Sequence, residues 1–261
     1  MQKIIKSIIL LFPLLVISQN YSNWQSSKII YVESNSESIN SVICLEINRE
    51  PGMNEDFSDI RIEDQDYNIV QYWIEEYNEN SSRVWIKSNF SIGQNVFYLR
   101  YDNENSYSIS NGTQVFDLFD DFNQSFLSSF WTTNIQTGSS YSLDNGSLKM
   151  SVTQTDNYIS IDSDSSFDIS QGYGLLMKAK TDVNRGHFFA GISNGNNLER
   201  VNSGGYNYSS GFGIDKNHDD GFRASAKSSI DQNIYGNCEN LLACYSSAIN
   251  SDDYFRINLE H

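Results

Sequence analysis

The stretch DIRIEDQDYNIVQYWIE, residues 59–75, decides how this chain is read. Asp64, Asp66 and Asn68 fall at alternate positions, as the first ligands of a calcium loop would. A loop of the EF type also needs glycine at its sixth position to bend sharply, and that position, 69, is Ile. Asp and Asn side chains bond the nearby backbone and so favour turns. The stretch therefore reads as a hairpin, with DIRIED and NIVQYWIEE as strands and QDY as the turn between them.

Strands of the same kind flank it. KIIYVE, SVICLEI, RVWIKS and NVFYLRYDN alternate apolar and polar residues, as in antiparallel sheet with one buried side. In RVWIK, Val84 and Ile86 share one face while Arg83, Trp85 and Lys87 share the other. Further along, SLKMSVTQ, NYISID, YGLLMKAKTD, HFFAGIS, GFGID, GFRASAK and DYFRINLEH form a second series, separated by Gly- and Asn-rich turns. The chain is expected to be all-β, with one block over residues 19–113 and another over 114–261.

Composition agrees with a folded β protein. Of 261 residues 39% are hydrophobic and 19% charged, so cores are affordable, and only two prolines interrupt the pattern. The formal net charge is −16, which repels phosphate backbones and anionic membranes and argues against nucleic acid as a partner. The start, MQKIIK followed by SIILLFPLLVI, reads as an export signal over residues 1–18. Its apolar run is shorter than the roughly 20 residues that span a bilayer. Cleavage is expected between Ser18 and Gln19, and no membrane insertion is expected once the leader is gone. The protein is thus read as secreted or held at the cell surface.

Export implies an oxidising environment. Cys238 and Cys244 flank the short loop CENLLAC and are candidates for a local disulfide, while Cys44, inside SVICLEI, reads as a buried thiol.

Several phrases resemble a known family. MNEDFSDIRIEDQDYNIVQYWIEEY, then SSRVWIK, then GQNVFYLRYDN are similar to the domain of unknown function 2341. The resemblance is carried by Phe57, Asp59, Arg61, Asp66, Trp73, Ile74, Trp85, Lys87, Gly93, Tyr98, Tyr101 and Asn103, with Trp24 ahead of the first strand. It covers most of the first block and implies an antiparallel β-sandwich. FDLFDDFNQSFLSSFWTT, through Phe119, Asp121, Phe122, Leu127 and Trp131, resembles the entry to a concanavalin A-like, laminin G-like jelly roll. Members of that group continue past the equivalent of FRINLEH, so the resemblance implies a jelly roll lacking its closing strands, with an open sheet edge.

Candidate sites follow from residue chemistry. DKNHDDG places Asp215, Asn217 and Asp219 at ligand-like alternation, although Asp220 stands where glycine is wanted; calcium is the candidate cofactor, and a polar hairpin is the alternative. Sugars offer apolar faces that pack on aromatic rings, and Trp85, Tyr206 and Tyr208 are the candidate glycan contacts; Trp24 and Trp73 read as structural. No paired-carboxylate glycosidase motif, nucleophile elbow, zinc-protease motif or phosphate loop occurs, and His187, His218 and His261 sit in no triad setting, so no enzyme is expected.

The function these readings favour is non-catalytic recognition of a glycan or a cell-surface protein, within an adhesin or envelope assembly. One alternative is a structural spacer or filament subunit that self-associates through sheet edges. Another is a glycan-cleaving enzyme with an unrecognised site. The disulfide reading is directly testable: thiol labelling without reductant should mark Cys44 alone, and labelling of Cys238 would refute it.

Overall fold

The structure is a computed structural model that describes residues 23–154, 157–165, 174–179, 188–193, 199–201, 205–207, 211–217, 221–227 and 255–260. It divides into two compact units, Met1–Asp121 and Phe122–His261. The described residues are mostly β, in small antiparallel sheets with one short helix.

The first unit has six strands: β1 (Ser26–Ser34), β2 (Ser38–Asn48), β3 (Arg61–Glu63), β4 (Gln71–Tyr77), β5 (Ser81–Phe90) and β6 (Gly93–Tyr101). They form two three-stranded sheets, ordered β1-β6-β3 and β2-β5-β4. Of neighbours in sequence, only β4 and β5 pair with each other. The chain crosses between sheets after β1, β2, β3 and β5. Both sheets contribute to one hydrophobic cluster: Ile62, Phe97 and Leu99 come from the first, and Ile47, Tyr72, Val84, Ile86 and Phe90 from the second.

The stretch that opened the sequence reading makes a turn, but its two strands do not pair as a long hairpin. Tyr67 donates its N–H to the Asp64 carbonyl at 3.0 Å, Asp64 donates to Asn68 at 2.9 Å, and a single bridge joins Glu63 to Ile69. After Val70, which is 5% exposed, the chain leaves β3 and enters the other sheet. Ile62 and Tyr72 both need the core, and splitting the strands lets each reach it from its own sheet.

Cys44 corrects its sequence reading: it is exposed, not buried. In β2 the residues opposite buried Ile86 and Val84 are Ile43 and Leu45, so Cys44, opposite Trp85, takes the other face.

The short helix α1 (Gly112–Val115) is capped by Asn111, whose side-chain oxygen accepts from the Thr113 N–H. Beyond it the chain lies across the outer face of β4 and β5. Phe116 meets Trp73 edge-on at 5.6 Å and Trp85 at 5.7 Å, and Phe119 meets Trp73 at 4.8 Å. A Cβ on Gly112 would lie 2.3 Å from the Phe119 ring, so this approach requires glycine. The aromatic start expected for the second block thus packs on the first unit.

In the second unit β7 (Trp131–Ile135) pairs with β10 (Ile159–Ser163), and β8 (Ser139–Asp144) with β9 (Ser147–Val152). β11 (Gly174–Ala179) pairs with β17 (Phe255–Glu260), and β13 (Glu199–Val201) with β14 (Gly205–Asn207). β12 (Phe188–Ser193), β15 (Gly211–Asn217) and β16 (Gly221–Lys227) make a three-stranded sheet. These pairings establish antiparallel sheet; they do not establish the jelly-roll topology. Residues 1–18, Asp219, Tyr208, Cys238 and Cys244, which carried sequence readings, lie outside the described residues. Among the described residues no helix is long and apolar enough to cross a membrane.

One buried group ties the first unit together. Asp59 is 0% exposed, and its carboxylate accepts from the backbone N–H groups of Asn54 at 2.9 Å, Asp102 at 2.9 Å and Asn103 at 3.3 Å. Replacing it with alanine strands these donors, at roughly 1–3 kcal/mol for each one left unsatisfied. Asp59→Ala should therefore lower stability by about 3 kcal/mol or more in urea unfolding; a loss under about 1 kcal/mol would show that the loops rearrange to satisfy themselves.

Candidate functional site

The outer face of the β1-β6-β3 sheet carries the polar and aromatic groups that the core does not use. In β3, Ile62 points inward, so Arg61 and Glu63 point outward. Both are buried nonetheless, at 4% and 2% exposure, because loops and side chains close over them.

Arg61 is satisfied entirely by neutral acceptors. One terminal nitrogen donates to the Ile60 carbonyl at 2.6 Å and reaches the Ser58 carbonyl at 3.4 Å; the other donates to Ser106 Oγ at 3.0 Å and the Tyr107 carbonyl at 2.9 Å. Its guanidinium lies 5.0 Å from the Trp24 ring centre, and the Trp24 indole N–H donates to the Asp59 carbonyl at 2.7 Å. Among the described residues no ion pair joins Arg61 to a carboxylate. Glu63 instead holds Arg100, with 2.8 Å from Arg100 Nε to Glu63 Oε2.

This arrangement fixes the 102–109 segment and opens a cleft of about 390 Å³ beside it. Trp24, Gln71, Asn103, Asn105, Ser106 and Tyr107 are among its lining residues, and no carboxylate is. Tyr107 is 77% exposed. The lining offers amide and hydroxyl donors and acceptors around aromatic surface.

Farther along the same face stand three tyrosines. Tyr98 in β6 lies opposite Ile29 of β1, and Tyr31 lies two residues on from Ile29 along the same face. Tyr67, at the tip of the turn, stacks on Tyr98 with ring centres 5.1 Å apart and planes 12° apart. A hydrogen bond with the Tyr67 side chain, then its charge, raises the Tyr98 phenol above the ordinary tyrosine value. Arg100 lies 5.9 Å from the Tyr98 ring centre.

The turn itself consumes its own carboxylate. Asp64 Oδ1 accepts from the N–H groups of Asp66 and Asn68, both at 2.9 Å, and the Asn68 amide bonds both oxygens. Among the described residues no group of three or more His, Cys, Asp or Glu side chains is placed to hold a metal ion.

The sequence-derived candidates belong to other elements of the chain. Trp85 packs on Phe116 and donates its indole N–H to Glu75 Oε2 at 2.8 Å, away from the cleft. Tyr206 lies in β14 opposite Arg200, and Asp215 and Asn217 lie in β15 opposite Arg223 and Gly221 of β16. Trp24 read as structural, and its bond to Asp59 shows that role; it also lines the cleft. Sequence reasoning missed Tyr31, Tyr67 and Tyr107. Strand parity could have placed Tyr31 and Tyr98 on one face, but nothing local announces the stacking of Tyr67. Although the residue is exposed overall, partial desolvation pushes the Cys44 thiol up, aided by Glu75, Glu46 and Glu76 and opposed by Arg83.

Residues 56–134 match the family described as Domain of unknown function (DUF2341). The match takes in β3, β4, β5, β6 and α1 and ends within β7. It leaves β1, β2 and Trp24 outside, so it starts later and ends later than the resemblance read from the sequence. No curated protein and no solved structure matches the chain. No comparison supports the laminin G-like reading of the second block.

Tyr72, 1% exposed, sits beneath this face and donates its hydroxyl to the Ile60 carbonyl at 2.8 Å. Burial pushes its phenol up to about 12, against the lowering effect of the Arg61 charge. An unfolded tyrosine ionises near 10, so between roughly pH 10 and 12 the unfolded chain sheds this proton first. Stability should be full below pH 10 and fall by about 2–3 kcal/mol on approaching pH 12. Tyr72→Phe should flatten that slope in urea titrations across the alkaline range, and an unchanged slope would assign it to other groups.

Proposed function

We propose that this chain is a secreted or cell-surface recognition protein that binds glycan without cleaving it, through the cleft on the outer face of the β1-β6-β3 sheet. The observation that carries the reading is the lining of that cleft. The side-chain amides of Gln71, Asn103 and Asn105 make no hydrogen bond to other described residues, so they are available to sugar hydroxyls. Tyr107 and Trp24 supply ring surface for the apolar side of a sugar. A cleft of this size fits one or two small polar rings, and binding residues on loops held by a rigid scaffold are a common arrangement.

Export is part of the proposal and is supported by the basic-then-apolar leader at residues 1–18. So is the finer architecture. A β-sandwich for the first unit is supported by two sheets sharing one core cluster, whereas a jelly roll for the second is supported only by the resemblance of FDLFDDFNQSFLSSFW and the strand pattern. The alternative, a spacer that associates through sheet edges, draws on the outer edges of β1 and β2, which pair with no other strand among the described residues, and on Ile39, which is 80% exposed. A net charge of −16 opposes close packing of identical copies, which favours recognition over self-assembly.

A glycan array probed with the full chain should give hits that Tyr107→Ala and Asn105→Ala each weaken by about tenfold or more, a loss of roughly 1.4 kcal/mol. Both residues are exposed, so the variants should melt at the wild-type temperature. Hits that survive these changes but vanish with Tyr206→Ala or Tyr208→Ala would move the site to the second unit. An array without hits, together with concentration-dependent oligomers in sedimentation, would favour the spacer.

A further inference from the structure

Tyr67 occupies a position that an aromatic residue does not favour. Its φ is 64°, in the left-handed region where glycine, asparagine and aspartate sit at little cost. It is also 60% exposed, so burial does not compensate for the strain. The Asp64 hydrogen bonds would close the same turn around a glycine, because they use only backbone N–H groups and the Asn68 amide. Strain kept at a largely exposed aromatic residue, offset within the fold only by its stack on Tyr98, points to use of the ring.

What surrounds it shows the kind of use. Tyr67 stacks on Tyr98, and Tyr98 faces Ile29 across the β1–β6 ladder. Tyr31 is 58% exposed and Ile29 is 47% exposed on the same face. The row adjoins the cleft: Arg100, beside Tyr98, is the register partner of Arg61, which lines the cleft. From Arg100 to Val96 the face runs for roughly 14 Å at the usual strand rise. Its rings end in hydroxyls, and Gln94 and Asn68 stand along it.

We propose that the Tyr31–Tyr98–Tyr67 row is a second subsite, on which a neutral oligosaccharide held at one end in the Trp24–Tyr107 cleft stacks its next rings. This rests on the glycan reading above and deepens it: the ligand is a chain, bound along its length, and not a single terminal sugar. Flat rings with hydroxyl tips match a saccharide, which has C–H groups on its faces and hydroxyls around its rim. Neutral chemistry follows from charge. The chain carries −16, Arg100 near the row is neutralised by Glu63, and Arg61 has its terminal donors occupied, so an anionic sugar would meet repulsion, and neither arginine is free to offset it.

Calorimetry of the full chain with glucose, mannose and N-acetylglucosamine oligomers, from monomer to hexamer, tests the proposal. In the series that binds, affinity should rise about tenfold between disaccharide and tetrasaccharide as rings reach the tyrosines. Tyr67→Ala and Tyr31→Ala should each abolish most of that rise and leave disaccharide affinity unchanged. Tyr67→Gly should lose the same rise while melting at or above the wild-type temperature, which separates a lost contact from a damaged fold. A flat length dependence, or a rise that survives both alanine variants, overturns the second subsite and leaves the cleft standing. If no oligomer binds and the array is also empty, both readings fall.

Discussion

The carboxylate of Asp59 is the constraint on which the first unit depends. A buried carboxylate is costly unless hydrogen bonds replace its water, and here three backbone N–H groups do so. Two of the donors belong to Asp102 and Asn103, more than forty residues along the chain, where β6 ends. Asp59 also offers its own carbonyl to the Trp24 indole, which fixes the approach to β1. Two residues later Arg61 grips the same distant segment at Ser106 and Tyr107. The residues that line the cleft, Asn103, Asn105, Ser106 and Tyr107, are therefore held from both ends by two buried charged groups. A loop pinned in this way loses little further freedom on binding, which is what preorganisation contributes to affinity.

The core was largely legible and the site was not. Alternation in RVWIKS and NVFYLRYDN correctly sorts Val84, Ile86, Phe97 and Leu99 inward, because a period of two is a local property. The turn at Asp64–Asn68 was legible for the same reason, since the Asp64 side chain bonds within four residues. The same rule misplaced Cys44: SVICLEI is apolar at nearly every position, and only pairing with Trp85 and Ile86 reveals which parity faces the core. The hairpin expected over residues 59–75 was half right. Sequence shows where a turn falls, but not that the following strand joins a different sheet, because that choice is made by partners far along the chain. The cleft depends on the contacts of Asp59 and Arg61 with residues 102–107. No spacing rule encodes such contacts. Trp85 drew attention as an aromatic on the outer parity, and the segment that covers it, Phe116 to Phe119, looked in sequence like the start of the next block.

The acidity of the chain acquires a meaning when its carboxylates are followed to their partners. Around the proposed binding face four acidic groups are occupied by contacts of the fold, while Asp66 and Glu104 are exposed. Asp59 serves backbone donors, Asp64 closes the turn, Glu63 holds Arg100, and Asp102 accepts from the Ser26 hydroxyl at 3.1 Å. The face thus shares the negative sign of a protein of net charge −16. Selectivity is a difference between affinities and is often gained by repelling the wrong partner. Nucleic acid, anionic lipid and acidic polysaccharide meet the general field of the surface before they meet any ring. A neutral chain pays no such toll, and only its fit to the amides and rings then decides whether it stays.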